Sequence, residues 1–414
     1  MRKLVVLAAL TAALWAAPGA FAAGWCGTGE SATDRPDAST GPQVHAVVVQ
    51  PADGPDNFAA DANRLADDVA SLTAWWVGQD PTRVPRFDLA AFPAGPCLDI
   101  SYLRLLDPAS SLTGGGASAA FNLIATALEA SGFANPYKDY YVYYDGPSVE
   151  TDVCGTGAGE FDRGPSFAFV WLAGCSDIPS DSIGTHELLH AFGALPDGAP
   201  HACPGDPGHP CDSPTDILYP YAATGITLAQ QVLDFGHDDY YGHSRSWADL
   251  QDSFWLHRLD VPVVPLSLGV SGVGDVSSDV PGIDCTASCT TQWDQGSLVS
   301  LAAEAVPGSR FIRWSGACTG SNGCSVSLSS ALAVSAVFGP TRIPVRVTMA
   351  GRGRVECAPT CSKSFRAGSR LTLRAIPAKG WRFAAWSGGC KGTRATCVPP
   401  TNFALSIKAT FRRR

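Results

Sequence analysis

The apolar positions along this chain change period several times, and each change marks an element. Residues 43–49, "QVHAVVV", form an unbroken apolar and β-branched run that predicts a buried strand. "NFAADANRLADDVASLTAWW" (57–76) places its apolar residues at helical spacing, and "CLDISYLRLL" (97–106) alternates as a strand does. "ASAAFNLIATALEASG" (117–132) returns to the helical period and stops at Gly132. "DYYVYYDG" and "SFAFVWLAG" are aromatic and β-branched, hence strands. A helix then runs through "HELLH", with Ser180 or Asp181 as its cap. A last helix over "SWADLQDSFWLHRL" (246–259) ends before Pro262 and Pro265. Strands and helices mixed in this order predict an α/β or α+β domain of about 235 residues, with α+β preferred.

From residue 262 the pattern is a repeat. "DCTASC…FIRWSGACTGSNGC" returns 72 residues later as "ECAPTC…FAAWSGGCKGTRATC", with Trp314-Ser315-Gly316 matching Trp386-Ser387-Gly388. Two copies of one small β-rich module are the direct reading. They resemble the InlB-type B-repeat (Listeria–Bacteroides repeat) of bacterial surface and secreted proteins. That resemblance implies a small β-grasp-like fold and a role as spacer or adhesive unit. The expected division is a signal peptide at 1–22, a mixed helix-and-strand domain at 23–261, and repeats at 262–339 and 340–414.

Composition sharpens this picture in three ways. "MRKLVVLAALTAALWAAPGAFAAG" has the charged, apolar, small-residue order of a secretory signal peptide, cut after Ala22. No later stretch is long and apolar enough to be a transmembrane segment. The mature protein is therefore expected to be secreted and soluble. The 14 cysteines fall mostly in close pairs, which fits disulfides in an oxidising compartment. Cys285/Cys289, Cys318/Cys324, Cys357/Cys361 and Cys390/Cys397 are expected to close locally. Cys154 and Cys175 bracket a strand pair, Cys203 and Cys211 close a tight loop, and Cys26 and Cys97 pair by elimination. The net charge of −9 is split: from Pro340 onward there are 16 Lys/Arg and one acid, against 13 basic and 37 acidic residues before it. Either the two parts attract each other, or the basic repeat meets an anionic polymer or cell surface. No nucleic-acid partner is expected.

The chemistry lies in "GTHELLHAFGALP" (184–196). On a helix, His186 and His190 project from one face, as two nitrogen ligands of one zinc ion require. Glu187 stands beside them without binding and suits a general base. The third ligand is open. No glutamate lies between Glu187 and Glu304, which leaves His201, His209, Asp197, Asp206, Asp212 and Asp216. Gly193 allows the chain to reverse over the metal. Histidine suits a borderline metal better than a lone carboxylate, and His209 lies inside the Cys203–Cys211 loop between Gly208 and Pro210. His209 is therefore preferred, with His201 and Asp197 as the alternatives. In "HDDYYGH" (237–243), Asp238 and Asp239 suit a hard cation such as Ca2+ or the start of a helix.

"HELLHAFG" followed by a ligand and a turn resembles the metzincin zinc peptidases. "HELLHAFGALPDGAPH…GHPCDSPTDILYP…FGHDDYYGH" also looks like a group of secreted bacterial proteins with HELLHxxGAxP, GH, DxPxDxMY and DDYY. The resemblance implies a twisted mixed sheet with an active-site helix, and zinc on His186, His190 and His209 with Glu187 as base. A ligand displaced by an insertion after the glycine is known in leishmanolysin-like enzymes. Two positions depart from the metzincin pattern: Pro196 stands where the third histidine is usual, and Leu218 where the methionine of the turn beneath the zinc is usual. Tyr219 and Tyr221 follow that turn, where related enzymes place a tyrosine that steadies the oxyanion. Packing aromatics are an equal reading. The expected function is hydrolysis of extracellular proteins or peptides by a zinc metallopeptidase. The alternative is a non-catalytic adhesin or binding protein whose zinc site is structural or decayed.

Overall fold

Strands buried on both faces carry apolar residues without alternation, and β1 (Gln43–Gln50) is buried at every position. It heads the first of two units in the computed structural model, which describes residues 24–27, 29–161, 163–195, 198–221, 225–359 and 363–414. The first unit comprises residues up to Ala38 and Pro42–Asp260, the second Ser39–Gly41 and Val261–Arg414. The signal-peptide expectation at 1–22 lies outside the described residues.

In the first unit β1 is followed by α1 (Phe58–Gln79), β2 (Arg83–Pro85), β3 (Leu89–Phe92), β4 (Gly95–Leu98) and β5 (Ile100–Arg104). Next come a single turn α2 (Ala109–Leu112), α3 (Ala117–Ala130), β6 (Lys138–Tyr144), β7 (Gly155–Ala158), β8 (Ser166–Trp171) and α4 (Ser180–Ala191). The short strands β9 (Ala202–Cys203), β10 (Asp206–Pro210) and β11 (Leu256–Arg258) complete it. The main sheet has the order β5-β1-β6-β8-β7. Its first four strands are parallel and the edge strand β7 is antiparallel to β8.

Alternate side chains build two cores. Val44, Ala46, Val48, Tyr141, Tyr143, Ala168 and Val170 meet Leu65, Val69, Leu72 and Trp76 of α1 and Leu188 and Leu189 of α4. On the other face, Val47, Val49, Val142, Phe167 and Phe169 meet Ala120, Ile124 and Leu128 of α3. Each such large side chain contributes about 1.5–3 kcal/mol on burial. At the start of β6 the buried Lys138 ammonium donates to Asp34, Asp37 and Asp88, each at 2.6 Å. This pins residues 34–37 to the sheet.

Three local expectations are corrected. The stretch 97–106 is two strands, β4 and β5, broken at Asp99. Asp99 is fully buried and accepts the Arg35 backbone N–H at 3.0 Å as well as its guanidinium, and a buried carboxylate left unpaired would be costly. The stretch 246–259 is not a helix but one 3-10 turn (Leu250–Asp252) and then β11, which pairs with β2. Here tertiary anchors override the local period: Trp247 Nε1 donates to the Asp239 carbonyl at 2.8 Å and Trp255 Nε1 to that of Glu160 at 3.0 Å. Nor is α4 capped by Ser180 or Asp181, since Pro179 precedes its first residue without a side-chain cap bond. Instead the Ser180 hydroxyl donates to Asp68, and Asp181 accepts from Ser71 at 2.6 Å, which ties α4 to α1.

The second unit is all strand. Its first copy holds β12 (Val263–Ser271), β13 (Asp275–Ser278), β14 (Asp284–Cys285), β15 (Cys289–Asp294), β16 (Leu298–Glu304), β17 (Ser309–Gly316), β18 (Cys324–Ser327) and β19 (Leu332–Pro340). The second copy holds β20 (Arg342–Ala350), β21 (Gly353–Ala358), β22 (Ser364–Arg366), β23 (Thr372–Pro377), β24 (Trp381–Gly388), β25 (Thr396–Cys397) and β26 (Leu405–Arg413). The main sheets, β15-β12-β19-β17 and β22-β20-β26-β24, share one topology. The Trp-Ser-Gly motif is explained by packing. Trp314 and Trp386 are buried, and their Nε1 groups donate to the Asn322 and Arg394 carbonyls at 3.0 and 2.9 Å. The loops that supply those carbonyls are closed by Cys318–Cys324 and Cys390–Cys397. No helix forms among the described residues of either copy, so the β-grasp likeness stops at the strands. Their apolar residues alternate with period two and leave no segment with a helical face.

Candidate metal centre

The first half of the centre is set by α4. Its period places His186 and His190 one turn apart, and their Nε2 atoms lie 3.1 Å from each other. The second half is set by the return of the chain after the helix. Gly193 adopts a left-handed φ of 80° with its Cα against Phe161, where a Cβ would meet the backbone. The chain then forms the β9/β10 hairpin, closed by Cys203–Cys211. This hairpin carries His209 to the helix, with its Nε2 3.2 Å from both His186 Nε2 and His190 Nε2.

Three mutually facing nitrogens at these separations match one tetrahedral ion. Bonds of about 2.0–2.1 Å to a central zinc put ligand nitrogens roughly 3.3 Å apart. A backbone carbonyl behind the ring fixes the tautomer of His186. His186 Nδ1–H donates to the Ile217 carbonyl at 2.6 Å, which leaves Nε2 bare. His209 Nδ1 lies 2.9 Å from Asp206 Oδ1. Burial, and next the neighbouring His209, pull His186 down to about 4. Burial likewise holds His190 well below the ordinary histidine range. Both imidazoles are thus held neutral, as metal ligation requires.

A cleft of about 570 Å³ opens beside the triad and is lined by His186, Glu187, His209 and Tyr219, among others. Burial pushes the Glu187 carboxyl up to about 8, against the pull of the Gly157 N–H. A cation held by the neighbouring imidazoles would favour its carboxylate form. Tyr219 and the exposed Tyr221 stand in the cleft wall with ring centroids 6.0 Å apart. Leu218 is fully buried in the core beside the turn.

His201, Asp212 and Asp216 are not at this centre. His201 donates its backbone N–H to Asp239 at 2.9 Å, and its Nδ1 lies 3.1 Å from the same carboxylate. Asp212 lies 3.9 Å from His201 Nδ1. Asp216 is buried and accepts the Leu218 N–H at 2.7 Å, the Tyr240 hydroxyl at 2.8 Å and the Phe235 N–H at 2.7 Å. It fixes the turn under the triad and does not reach the triad itself. Asp197 and Pro196 lie outside the described residues. Asp238 and Asp239 gather with His201, and no helix starts there.

Two features escaped the sequence reading. Asp206, a candidate ligand by sequence, lies instead 2.9 Å from the outer nitrogen of His209. "GTGAGE" (155–160) places glycines on alternate positions of β7, and these let the edge strand lie against α4. A Cβ on Gly155 would strike the Glu187 carboxyl, and one on Gly157 would lie 2.8 Å from His190 Cβ and strike the Glu187 carbonyl. Glycine at period two beside a strand was the available signal.

Comparison with known proteins adds most in the second unit. Residues 279–342 and 343–414 each match the family model for the divergent InlB B-repeat domain. The C-terminal third is therefore a tandem of B-repeats. No curated protein matches the chain. Among solved structures, wild-type OgpA from Akkermansia muciniphila is 12% identical and covers 92% of this chain and 99% of its own, with a TM-score of 0.28. The E117A major pilin of Streptococcus pyogenes is 8% identical and covers 36% of this chain and 96% of its own, with a TM-score of 0.13. At these scores neither likeness bears on the fold. B-repeats and disulfides are consistent with an extracellular protein, and among the described residues no helix is long and apolar enough to cross a membrane.

Proposed function

We propose that the chain is a secreted, metzincin-like zinc metallopeptidase that hydrolyses extracellular proteins or peptides. The observation that carries this reading is the meeting of three imidazole nitrogens within 3.2 Å, at the wall of a cleft that also holds Glu187. His186, His190 and His209 would hold the ion; burial keeps His186 and His190 neutral, and the Ile217 carbonyl on Nδ1 leaves the Nε2 of His186 bare. A zinc ion there supplies Lewis acidity, lowering the pKa of water and polarising a carbonyl.

The chain's own groups perform the rest. A Glu187 carboxylate oxygen takes the proton of the attacking water as its oxygen adds to the carbonyl carbon. The same carboxyl returns that proton to the amine nitrogen as the C–N bond breaks. The Tyr219 hydroxyl donates to the carbonyl oxygen as negative charge develops there. A peptide substrate suits the place, because β7 is the sheet's edge strand and Gly155 lines the cleft. An extended peptide can pair with such an edge. A non-catalytic binding protein with a structural zinc is the weaker reading, since structural sites are closed by four ligands.

The test is zinc analysis of the purified chain together with digestion of casein or a proteome-derived peptide pool. About one zinc per chain is expected, with hydrolysis lost on chelation and restored by zinc. Full hydrolysis by metal-free protein would overturn the reading.

A further inference from the structure

The two B-repeats share strand order and register, so their outward faces can be compared position by position. On the main sheet of the second repeat, Arg342 lies directly opposite Arg366 and Arg382 directly opposite Arg412. The matching pairs in the first repeat are Val263 opposite Asp294 and Arg310 opposite Gly339. Between these ends, Arg346 faces Ser406 and Lys408 faces Thr348, where the first repeat has Ser267 facing Ala333 and Ser335 facing Gly269. All six cations are exposed. The matching six positions of the first repeat carry one base, Arg310, and one acid, Asp294.

Like charges directly across a strand pair destabilise a sheet, and this face contains two such pairs. No carboxylate relieves them among the described residues: the one acid after Pro340, Glu356, is engaged by Arg354 at 2.9 Å. The six lie in a line. Arg342 and Arg366 stand at one end, then Arg346, then Lys408 on the next strand, then Arg412 and Arg382. Ten residue levels separate the ends, which is about 30 Å. A stripe of that shape fits a chain of anions and not a single one.

The rest of the face narrows the partner. Its other outward positions include Pro344, Thr348, Ser406 and Thr410, with no aromatic side chain. Single-stranded nucleic acid is gripped by aromatic stacking platforms, and a lipid surface by apolar side chains beside the cations. Neither is offered here. We infer that the outward face of the β22-β20-β26-β24 sheet binds a linear polysaccharide bearing sulfate or carboxylate groups. This site stands apart from the metal centre, and its test does not use hydrolysis.

The full chain is titrated with heparin oligosaccharides (sulfated) and polygalacturonate fragments (carboxylated) across a range of salt concentrations. Binding is expected to at least one of them, tightest at low salt and weakened steeply as salt rises. The tighter probe identifies the anion. The stripe variant Arg346→Ser/Lys408→Ser/Arg412→Gly takes the residues of the first repeat and should bind about a hundredfold more weakly. The control Arg374→Ser/Lys379→Ser/Lys391→Ser removes three exposed cations away from the stripe and should stay within about threefold of the parent. A melting temperature of the stripe variant at or above the parent's rules out unfolding, since it loses a repelling pair. Absence of binding to both glycans at low salt overturns the inference. So does an equal loss in the control, or tighter binding of DNA than of either glycan.

Discussion

Two histidine clusters of the first unit, at His186, His190 and His209 and at His201, Asp238 and Asp239, are built on opposite principles. At His186, His190 and His209, nitrogen faces nitrogen at 3.1–3.2 Å, and burial holds His186 and His190 neutral. At His201, nitrogen faces oxygen. Burial pulls its imidazole down, but Asp239, Asp238 and Asp212 outweigh that and hold it above the usual histidine range. The first cluster turns its three Nε2 atoms on one another. The second is satisfied as it stands, because His201 meets both oxygens of the buried Asp239. A histidine near a zinc motif is therefore not a ligand by proximity alone. What its free nitrogen points at decides.

The sharpest way to break this comparison is to remove one histidine from each cluster and titrate zinc. His209→Ala should weaken zinc binding by at least about a hundredfold, while His201→Ala should leave it unchanged and lower stability by about 1 kcal/mol. Equal affinities in the two variants would erase the distinction. A second effect of similar size tests how the first cluster is packed. Gly157→Ala places a methyl against His190 and the Glu187 carbonyl and should cost about 1–3 kcal/mol in thermal unfolding. An unchanged melting temperature would show that β7 does not need its alternate glycines. The smallest effect lies one step out. Asp206→Asn removes the charge 2.9 Å from His209 Nδ1 and should reduce zinc affinity by about tenfold, measured by competition with a chelator. No change there would leave Asp206 without a role.

Much of this was legible in the residues, for reasons that differ by place. His186 and His190 could be paired because a helix fixes the i, i+4 relation locally. His209 was reachable because a donor count and a cysteine-closed loop left few candidates. The repeats were legible because Trp-Ser-Gly and the cysteine pairs mark the same buried turn twice. The place of Asp206 beside His209 Nδ1 was not legible, because a short hairpin sets which side of an imidazole a neighbour meets, and composition does not. The expected helix at 246–259 failed because Trp247 and Trp255 donate to carbonyls far apart in sequence, at Asp239 and Glu160. The glycines of β7 were overlooked because their meaning depends on which helix lies above the strand.

The central claim is that Glu187 acts as a base beside a metal it does not bind. The direct measurement is peptide hydrolysis by Glu187→Gln, with its zinc content determined on the same sample. The account predicts zinc equal to the parent's, near one per chain, and a rate lower by about 10²–10⁴-fold. Cleavage at the parental rate by a zinc-loaded Glu187→Gln protein would contradict it.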